Sequence, residues 1–448
     1  MTMRAGFHLD LSRCTGCQAC QLACGIENAL PWGESWRRVE TFNPGALAGA
    51  PRYHLSLACM HCADAPCAIA CPADAYARDA TTGALILDPA RCIGCRYCSW
   101  ACPYDAPRFD ARAGTMSKCT LCQPRLAEGR EPACVALCPT DALNLLDLDA
   151  PAAALHAREV PGFDASQVRP ALRFTPLPPG ADGPEGPPPG GGGAAPPGSG
   201  DGGGRRLSLR DEWPLLLFST ALPLLVAMRL DTLPPCRLDR PLPILWGGLA
   251  AMALSTAHLG KPWRAWRALL GIRHSWLSRE IAATGAFVLL AGALPLLLAP
   301  NLLLSLAGGM AGFAALYAMD RLYEVADVPR GSVGVHSAEA VPNAIVYTLA
   351  FRGWAWPLAG ALLLLALLWL GRYRGGARPV GWVGGLRAAA LIAAGIAVAA
   401  GAAPAGLPVM GLMVVGALLD RAAFYRELRL PSPRRTLDRA LATRLGPR

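Results

Sequence analysis

The rhythm of apolar and polar positions changes twice along this chain. Beyond residue 210 it has neither the alternation of a half-buried strand nor the 3.6-residue stripe of a surface helix. It is a series of long, nearly unbroken apolar segments at 213–230, 242–260, 281–299, 301–319, 345–371, 386–403 and 405–422. Each approaches the ~20 residues that a helix needs to cross a bilayer. The run from Leu362 to Leu370 has no polar face, so a soluble amphipathic helix is a poor reading. The pattern predicts an all-α transmembrane bundle of seven spans, with very short turns such as Pro300-Asn301 and the region of Ala403-Pro404. Upstream the apolar runs are short. Leu85-Ile86-Leu87-Asp88 and Ala142-Leu143-Asn144-Leu145 read as strands. From Pro176 to Gly204 the chain reads PLPPGADGPEGPPPGGGGAAPPGSGDGGG. That stretch has almost nothing to bury against its ordering entropy and predicts a flexible linker. The expected organisation is a first domain over 1–150, a Pro/Gly-rich linker over 151–210, a membrane domain over 211–430 and a basic tail over 431–448.

Charge follows the same division. Residues 1–150 hold 13 Lys/Arg against 15 Asp/Glu, 151–210 hold 6 against 5, and 211–448 hold 23 against 12. The surplus of +10 therefore flanks apolar segments. That excludes a basic nucleic-acid-binding domain as its source, and the partners expected are membrane lipid and whatever the membrane dissolves. Sixteen of the 17 cysteines precede residue 139, and Cys236 stands alone. Met1 to Asp10 contains no apolar signal core and no twin-arginine run, so an exported disulfide framework is disfavoured against metal thiolates.

The sixteen cysteines form four groups: Cys14, Cys17, Cys20, Cys24; Cys59, Cys62, Cys67, Cys71; Cys92, Cys95, Cys98, Cys102; and Cys119, Cys122, Cys134, Cys138. The third group, ending in Cys102-Pro103, matches the C-x2-C-x2-C-x3-C-P run of bacterial ferredoxins. Three thiolates on one tight loop can reach three irons of a cubane, while the fourth points toward a second cluster. Structural zinc prefers two C-x2-C pairs separated by a longer insert, which only the fourth group approaches. Iron–sulfur clusters are therefore expected. With so small an apolar core, folding should depend on them.

The four groups resemble those of the four-cluster electron-transfer subunit of the dimethyl sulfoxide reductase family of molybdopterin enzymes, over about residues 5–150. The resemblance implies an α+β ferredoxin-like domain in which the first and fourth groups share one pair of clusters, and the second and third share another. Cys14, Cys17, Cys20 and Cys138 would hold one cluster, and Cys119, Cys122, Cys134 and Cys24 its partner. Cys59, Cys62, Cys67 and Cys102 would hold a third, and Cys92, Cys95, Cys98 and Cys71 the fourth. Nitrate reductase relatives carry tryptophan in place of the second cysteine of group three. This chain keeps Cys95, which implies four [4Fe-4S] clusters. A separate molybdopterin-containing catalytic subunit is the implied partner, because no molybdopterin domain, Rossmann fingerprint or P-loop is legible here.

Three pieces of the second half, Asp211-Glu212-Trp213-Pro214-Leu215, Ala257-His258-Leu259-Gly260-Lys261-Pro262 and Ser275-Trp276-Leu277-Ser278-Arg279-Glu280, resemble the membrane anchor of the same family, which binds menaquinol. Asp420-Arg421-Ala422-Ala423-Phe424-Tyr425 is similar as well. The loop 320–342 differs from the family's, and seven spans are legible where the family usually has eight. The resemblance implies menaquinone or ubiquinone as bound substrate, with quinone redox as the chain's own chemistry. Quinol oxidation releases protons with its electrons, so the site needs an acceptor near a quinol hydroxyl. His258 is that candidate, with Glu280 as the relay onward and Trp276 and Arg279 as secondary quinone contacts. A b-type haem commonly needs two histidines on facing spans, and after residue 210 only His258, His274 and His336 are available; His274 lies in a basic loop and His336 in a polar one, neither inside a span. No haem is expected. The competing class is a ferredoxin-type donor module tethered to an unrelated membrane transport domain.

Short-loop Lys/Arg bias sets membrane orientation, positive side inward. The 260–280 loop carries Lys261, Arg264, Arg267, Arg273 and Arg279, whereas the 300–301 turn carries none. This places the cluster domain on the cytoplasmic face of the inner membrane and favours a sulfite dehydrogenase over a periplasmic sulfoxide reductase. Arg372, Arg374, Arg378 and the eight arginines from Arg421 onward oppose that orientation if the spans number seven. An eighth span before or within 343–385 would reconcile them.

Overall fold

The computed structural model describes residues 3–164, 168–178, 209–231, 241–298, 301–323, 340–352, 354–374, 407–427 and 431–445, with 389, 392–394, 396 and 398. The chain divides into two compact units, Met1–Arg205 with Leu430–Arg448, and Arg206–Arg429.

In chain order the first unit contains β1 (Ala5–Asp10), α1 (Ala19–Glu27), β2 (Arg38–Phe42), β3 (Tyr53–Leu57), α2 (Pro66–Ala70), β4 (Tyr76–Arg78) and β5 (Leu85–Leu87). There follow α3 (Tyr97–Ala101), β6 (Arg108–Asp110), β7 (Thr115–Ser117), α4 (Gln123–Ala127), α5 (Ala133–Ala136), β8 (Leu143–Asp147) and β9 (Leu172–Thr175). Alternation in β1 turns Ala5, Phe7 and Leu9 inward, and all three are buried. Strand β1 is central. It runs antiparallel to β8, with Phe7 opposite Leu145, and parallel to β9, with Phe7 opposite Leu172. The strands β2–β3, β4–β5 and β6–β7 form separate two-stranded ribbons. The helices are mostly single turns that begin inside the cysteine groups.

Residues 151–175, expected within the linker, instead complete this sheet through β9. Phe174 is fully buried and meets Phe163 edge-on at 5.1 Å. Its Leu-Arg-Phe run is too short to announce a strand by periodicity. Most of the Pro176–Gly204 stretch lies outside the described residues.

The expected tail forms a helix of the first unit, Pro433–Leu445, which packs against β2. Leu437 is buried where Gly162, at φ +82°, has no Cβ to obstruct it. Arg434 donates to the Thr41 carbonyl at 3.2 Å and Arg444 to the Gly49 carbonyl at 3.1 Å. Proline at its first turn is pre-organised for a helix start.

The second unit begins with α6 (Leu209–Asp231) and α7 (Pro241–Ala257). A 3-10 segment, Pro262–Leu269, then leaves α7 at 107°. Next come α8 (Trp276–Phe287), a π turn over Val288–Ala293, α9 (Leu294–Leu297) and α10 (Leu302–Tyr323). The last three described helices are α11 (Ala340–Phe351), α12 (Ala355–Arg374) and α13 (Leu407–Glu427); the tail helix is α14. Among the described residues three helices are long and apolar enough to cross a membrane, or four if the bent pair counts as one span. Small residues let the helices approach: a Cβ on Gly292 would lie 2.9 Å from the Leu245 backbone, and one on Gly312 would meet Val226 and Phe287. The apolar run 345–371 is divided between α11, which ends at Phe351, and α12, which begins at Ala355. The expected span 386–403 lies largely outside the described residues.

Candidate functional site

Each cysteine loop curls through the left-handed region two residues after its first cysteine. Gly16 has φ +72°, His61 +41°, Gly94 +72° and Leu121 +61°. This curl turns backbone N–H groups back toward sulfur, as in other anion-binding nests. Gly94 N–H donates to Cys92 Sγ at 3.4 Å and Leu121 N–H to Cys119 Sγ at 3.3 Å. After the loops, short helices carry Cys20 and Cys24 (α1), Cys67 (α2), Cys98 (α3) and Cys134 (α5), while Cys71 and Cys102 cap the ends of α2 and α3.

The thiols gather in four sets, each drawn from two groups. Burial pushes the Cys14 thiol up, and Cys20, Cys138 and Cys17 beside it add to the shift. Burial likewise raises Cys67, next to Cys102, Cys59 and Cys62. Cys98 is raised by burial and by Cys95 and Cys71. Cys134 is raised by burial, with Cys122 and Cys24 adjacent. Burial drives Cys102 to about 12. Cys138 differs. Against the push of burial, the Leu143, Thr140 and Ala142 N–H groups and the Thr140 hydroxyl hold it below its usual value. Without a cation most of these thiols stay protonated, so binding iron displaces protons and acid favours its loss.

Two of the sets line small hollows of about 10 Å³ each. Cys24, Cys119, Cys122 and Cys134 line one, and Cys71, Cys92, Cys95 and Cys98 the other. Among the described residues no three Cys, His, Asp or Glu side chains converge as a single ion requires. Four thiols spread round a hollow suit a polynuclear cluster better than one zinc ion. Cys17 is exposed, and Cys14 and Cys138 are half-buried, whereas most of the other thiols are buried.

Sequence reasoning missed the buried polar groups between these sets. Arg37 is fully buried beside Phe7. Lys118 is buried and donates to the Leu85 and Cys119 carbonyls. Burial, then the Lys118 charge, holds His61 neutral, and its Nδ1 accepts from Leu85 N–H at 3.0 Å. The Tyr76 hydroxyl bears on Cys98. Single Arg, Lys, His and Tyr residues carry no spacing signal.

In the second unit His258 directly follows α7 and is half-buried, at the bend before Pro262–Leu269. Glu280 lies on α8, buried beside Arg421 and Asp320. Trp276 opens α8 with Arg279 over its ring at 4.5 Å, Arg321 at 5.4 Å and Tyr317 edge-on at 5.8 Å. Arg279 also donates to the Ile272 and Arg273 carbonyls at 3.1 and 2.7 Å, which ties down the turn before α8. Tyr323 and Tyr425 join hydroxyl to hydroxyl at 2.5 Å, with Arg421 over the Tyr323 ring. Tyr425 belongs to the anchor-like piece Asp420–Tyr425, whereas Tyr323 and Asp320 carry no signal in the sequence.

Thiols gathered on a small unit of short strands and helices, followed by apolar helices of membrane length, define an iron–sulfur electron-transfer protein fused to a membrane anchor. Comparison with known proteins agrees in both halves. Residues 52–148 match the 4Fe-4S dicluster domain, and residues 243–338 match the DMSO reductase anchor subunit (DmsC). One polypeptide of the anaerobic dimethyl sulfoxide reductase of Haemophilus influenzae is 40% identical over 153 residues, 32% of this chain and 74% of that protein. The formate dehydrogenase iron–sulfur subunit of Wolinella succinogenes is 42% identical over 168 residues, covering 33% and 82%. One polypeptide of the sulfite dehydrogenase of Allochromatium vinosum is 33% identical over 194 residues, covering 38% and 81%. This protein belongs to the dimethyl sulfoxide reductase-type family of iron–sulfur subunits, here fused to its anchor domain.

Proposed function

We propose that this chain passes electrons between membrane quinone and a separate molybdopterin catalytic subunit through four [4Fe-4S] clusters. The observation that carries this reading is the gathering of thiols from different groups into sets of four, two of them round hollows. The first set, Cys14, Cys17, Cys20 and Cys138, faces the catalytic subunit, because it includes the exposed Cys17 and the half-buried Cys14 and Cys138. When bound, the clusters supply one-electron carriers. The chain's own residues handle the protons. His258 takes the proton of a quinol hydroxyl, and Glu280, beside Arg421 and Asp320, passes it on. Trp276 and Arg279 wall the site.

Eight spans fit this protein more closely than seven. Both ends of the helical unit, near residues 206 and 429, lead into the cluster unit. A polypeptide that leaves and returns to one compact body on one side of a membrane crosses it an even number of times. The division between α11 and α12 supplies the additional crossing, since Val346, Tyr347 and Ala350 on α11 cluster with Leu358 and Leu362 on α12. With eight spans the 260–280 loop, the Arg372–Arg378 region and the tail share one side, which the positive-inside bias makes cytoplasmic. A cytoplasmic substrate such as sulfite follows.

Iron and sulfide content with rapid-mixing kinetics tests the reading. Anaerobically purified protein should hold sixteen irons, four for each of the four thiol sets drawn from its sixteen clustered cysteines. His258→Ala should slow quinol reduction of the clusters by about 10²-fold or more, while dithionite still reduces them. Glu280→Gln should slow it less. Wild-type quinol kinetics in His258→Ala would refute the site, and stoichiometric zinc without iron would refute the cluster assignment.

A further inference from the structure

Arg37 stands where two thiol sets meet. It is 2% exposed, and its attractive neighbours are Cys134, Cys119, Cys20 and Cys24. The guanidinium lies 4.3 Å over the Phe7 ring. Nη1 donates to the Ser56 carbonyl at 3.0 Å and to the Ser56 hydroxyl at 3.1 Å. The Ser56 hydroxyl in turn lies 3.2 Å from Cys20 Sγ. With Arg37 as its donor, that hydroxyl is free to give its own hydrogen to a Cys20 thiolate. Nε and Nη2 are buried without a partner of normal geometry, on the side of Cys134. Arg37 lines the hollow of Cys24, Cys119, Cys122 and Cys134. The hollow of Cys71, Cys92, Cys95 and Cys98 is lined otherwise by Pro72, Ala73, Tyr76, Leu87, Ile93 and Met116, none of them charged.

A buried guanidinium with no carboxylate for company is costly unless negative charge is supplied from elsewhere. Thiolate-held clusters supply it, and each reduction adds one electron to the same space. Cluster potential depends on local charge, hydrogen bonds to sulfur and solvent exposure. We propose that Arg37 is a potential-setting residue, donating directly toward the cluster of Cys24, Cys119, Cys122 and Cys134, and through Ser56 to Cys20 of the neighbouring cluster. Both clusters are thereby easier to reduce than the cluster in the uncharged hollow. Electrons arriving from that hollow run downhill toward the exposed thiol set.

The proposal rests on the cluster reading, whose failure would appear separately as wild-type protein without iron. The test is a redox titration of the full-length, detergent-purified protein followed by low-temperature EPR. Arg37→Gln should keep its iron and move two of the four midpoints to more negative potential, leaving two in place. Arg37→Lys, which keeps the charge but loses the fork, should recover most of the shift. Ser56→Ala should lower one midpoint only. Four unmoved midpoints, or a uniform shift of all four, would overturn the proposal. Should Arg37→Gln lose iron, Ser56→Ala carries the test: one lowered midpoint supports the relay, and none refutes it.

Discussion

Gly16 shows how one residue governs a cysteine loop. Its φ of +72° suits glycine, and a Cβ there would stand 2.7 Å from the His54 ring. That ring is held by a 3.0 Å hydrogen bond between its Nδ1 and the Thr41 hydroxyl. Gly16→Ala should therefore cost about 1–2 kcal/mol for the backbone alone, with the clash in addition. The expected outcome is loss of iron from the first thiol set, read as one missing EPR signal, with the other signals kept. Unchanged iron content would show that the loop relaxes without cost. The cysteine groups were legible at this scale because their chemistry is written in their spacing. Arg37 and Lys118 were not. Their meaning comes from being buried beside thiols that are distant in sequence.

At the scale of elements, short strands and single-turn helices suffice in the first unit because paired loops and their thiols replace much of an apolar core. Its last element in chain order is α14. Leu437 is 1% exposed, so Leu437→Ala should destabilise the first unit by about 2–4 kcal/mol. Limited proteolysis should then cut the cluster unit sooner and leave the helical unit as resistant as before. Equal resistance of both units in wild type and variant would mean that the docking of α14 contributes little. Hydropathy located apolar helices in the second unit but merged α11 and α12 into one run. A few non-aliphatic residues within a long apolar stretch barely lower a windowed average.

For the whole molecule, topology and substrate are linked. If the cluster unit faces the cytoplasm, protease added to intact spheroplasts should leave the 176–204 linker uncut, and a cysteine placed at Gly353 should react with an impermeant thiol reagent from outside. Cleavage of the linker from outside would reverse the orientation and restore a periplasmic sulfoxide reductase. The amino-acid sequence by itself determined the chemistry and the two-part organisation. Ligand spacing and apolar length are local properties, readable within a few dozen residues. Only the tertiary structure decided that residues 151–175 and 433–445 return to the cluster unit, and that a lone arginine lies between two thiol sets. Those outcomes depend on contacts across more than a hundred residues, which no local pattern of polar and apolar positions records.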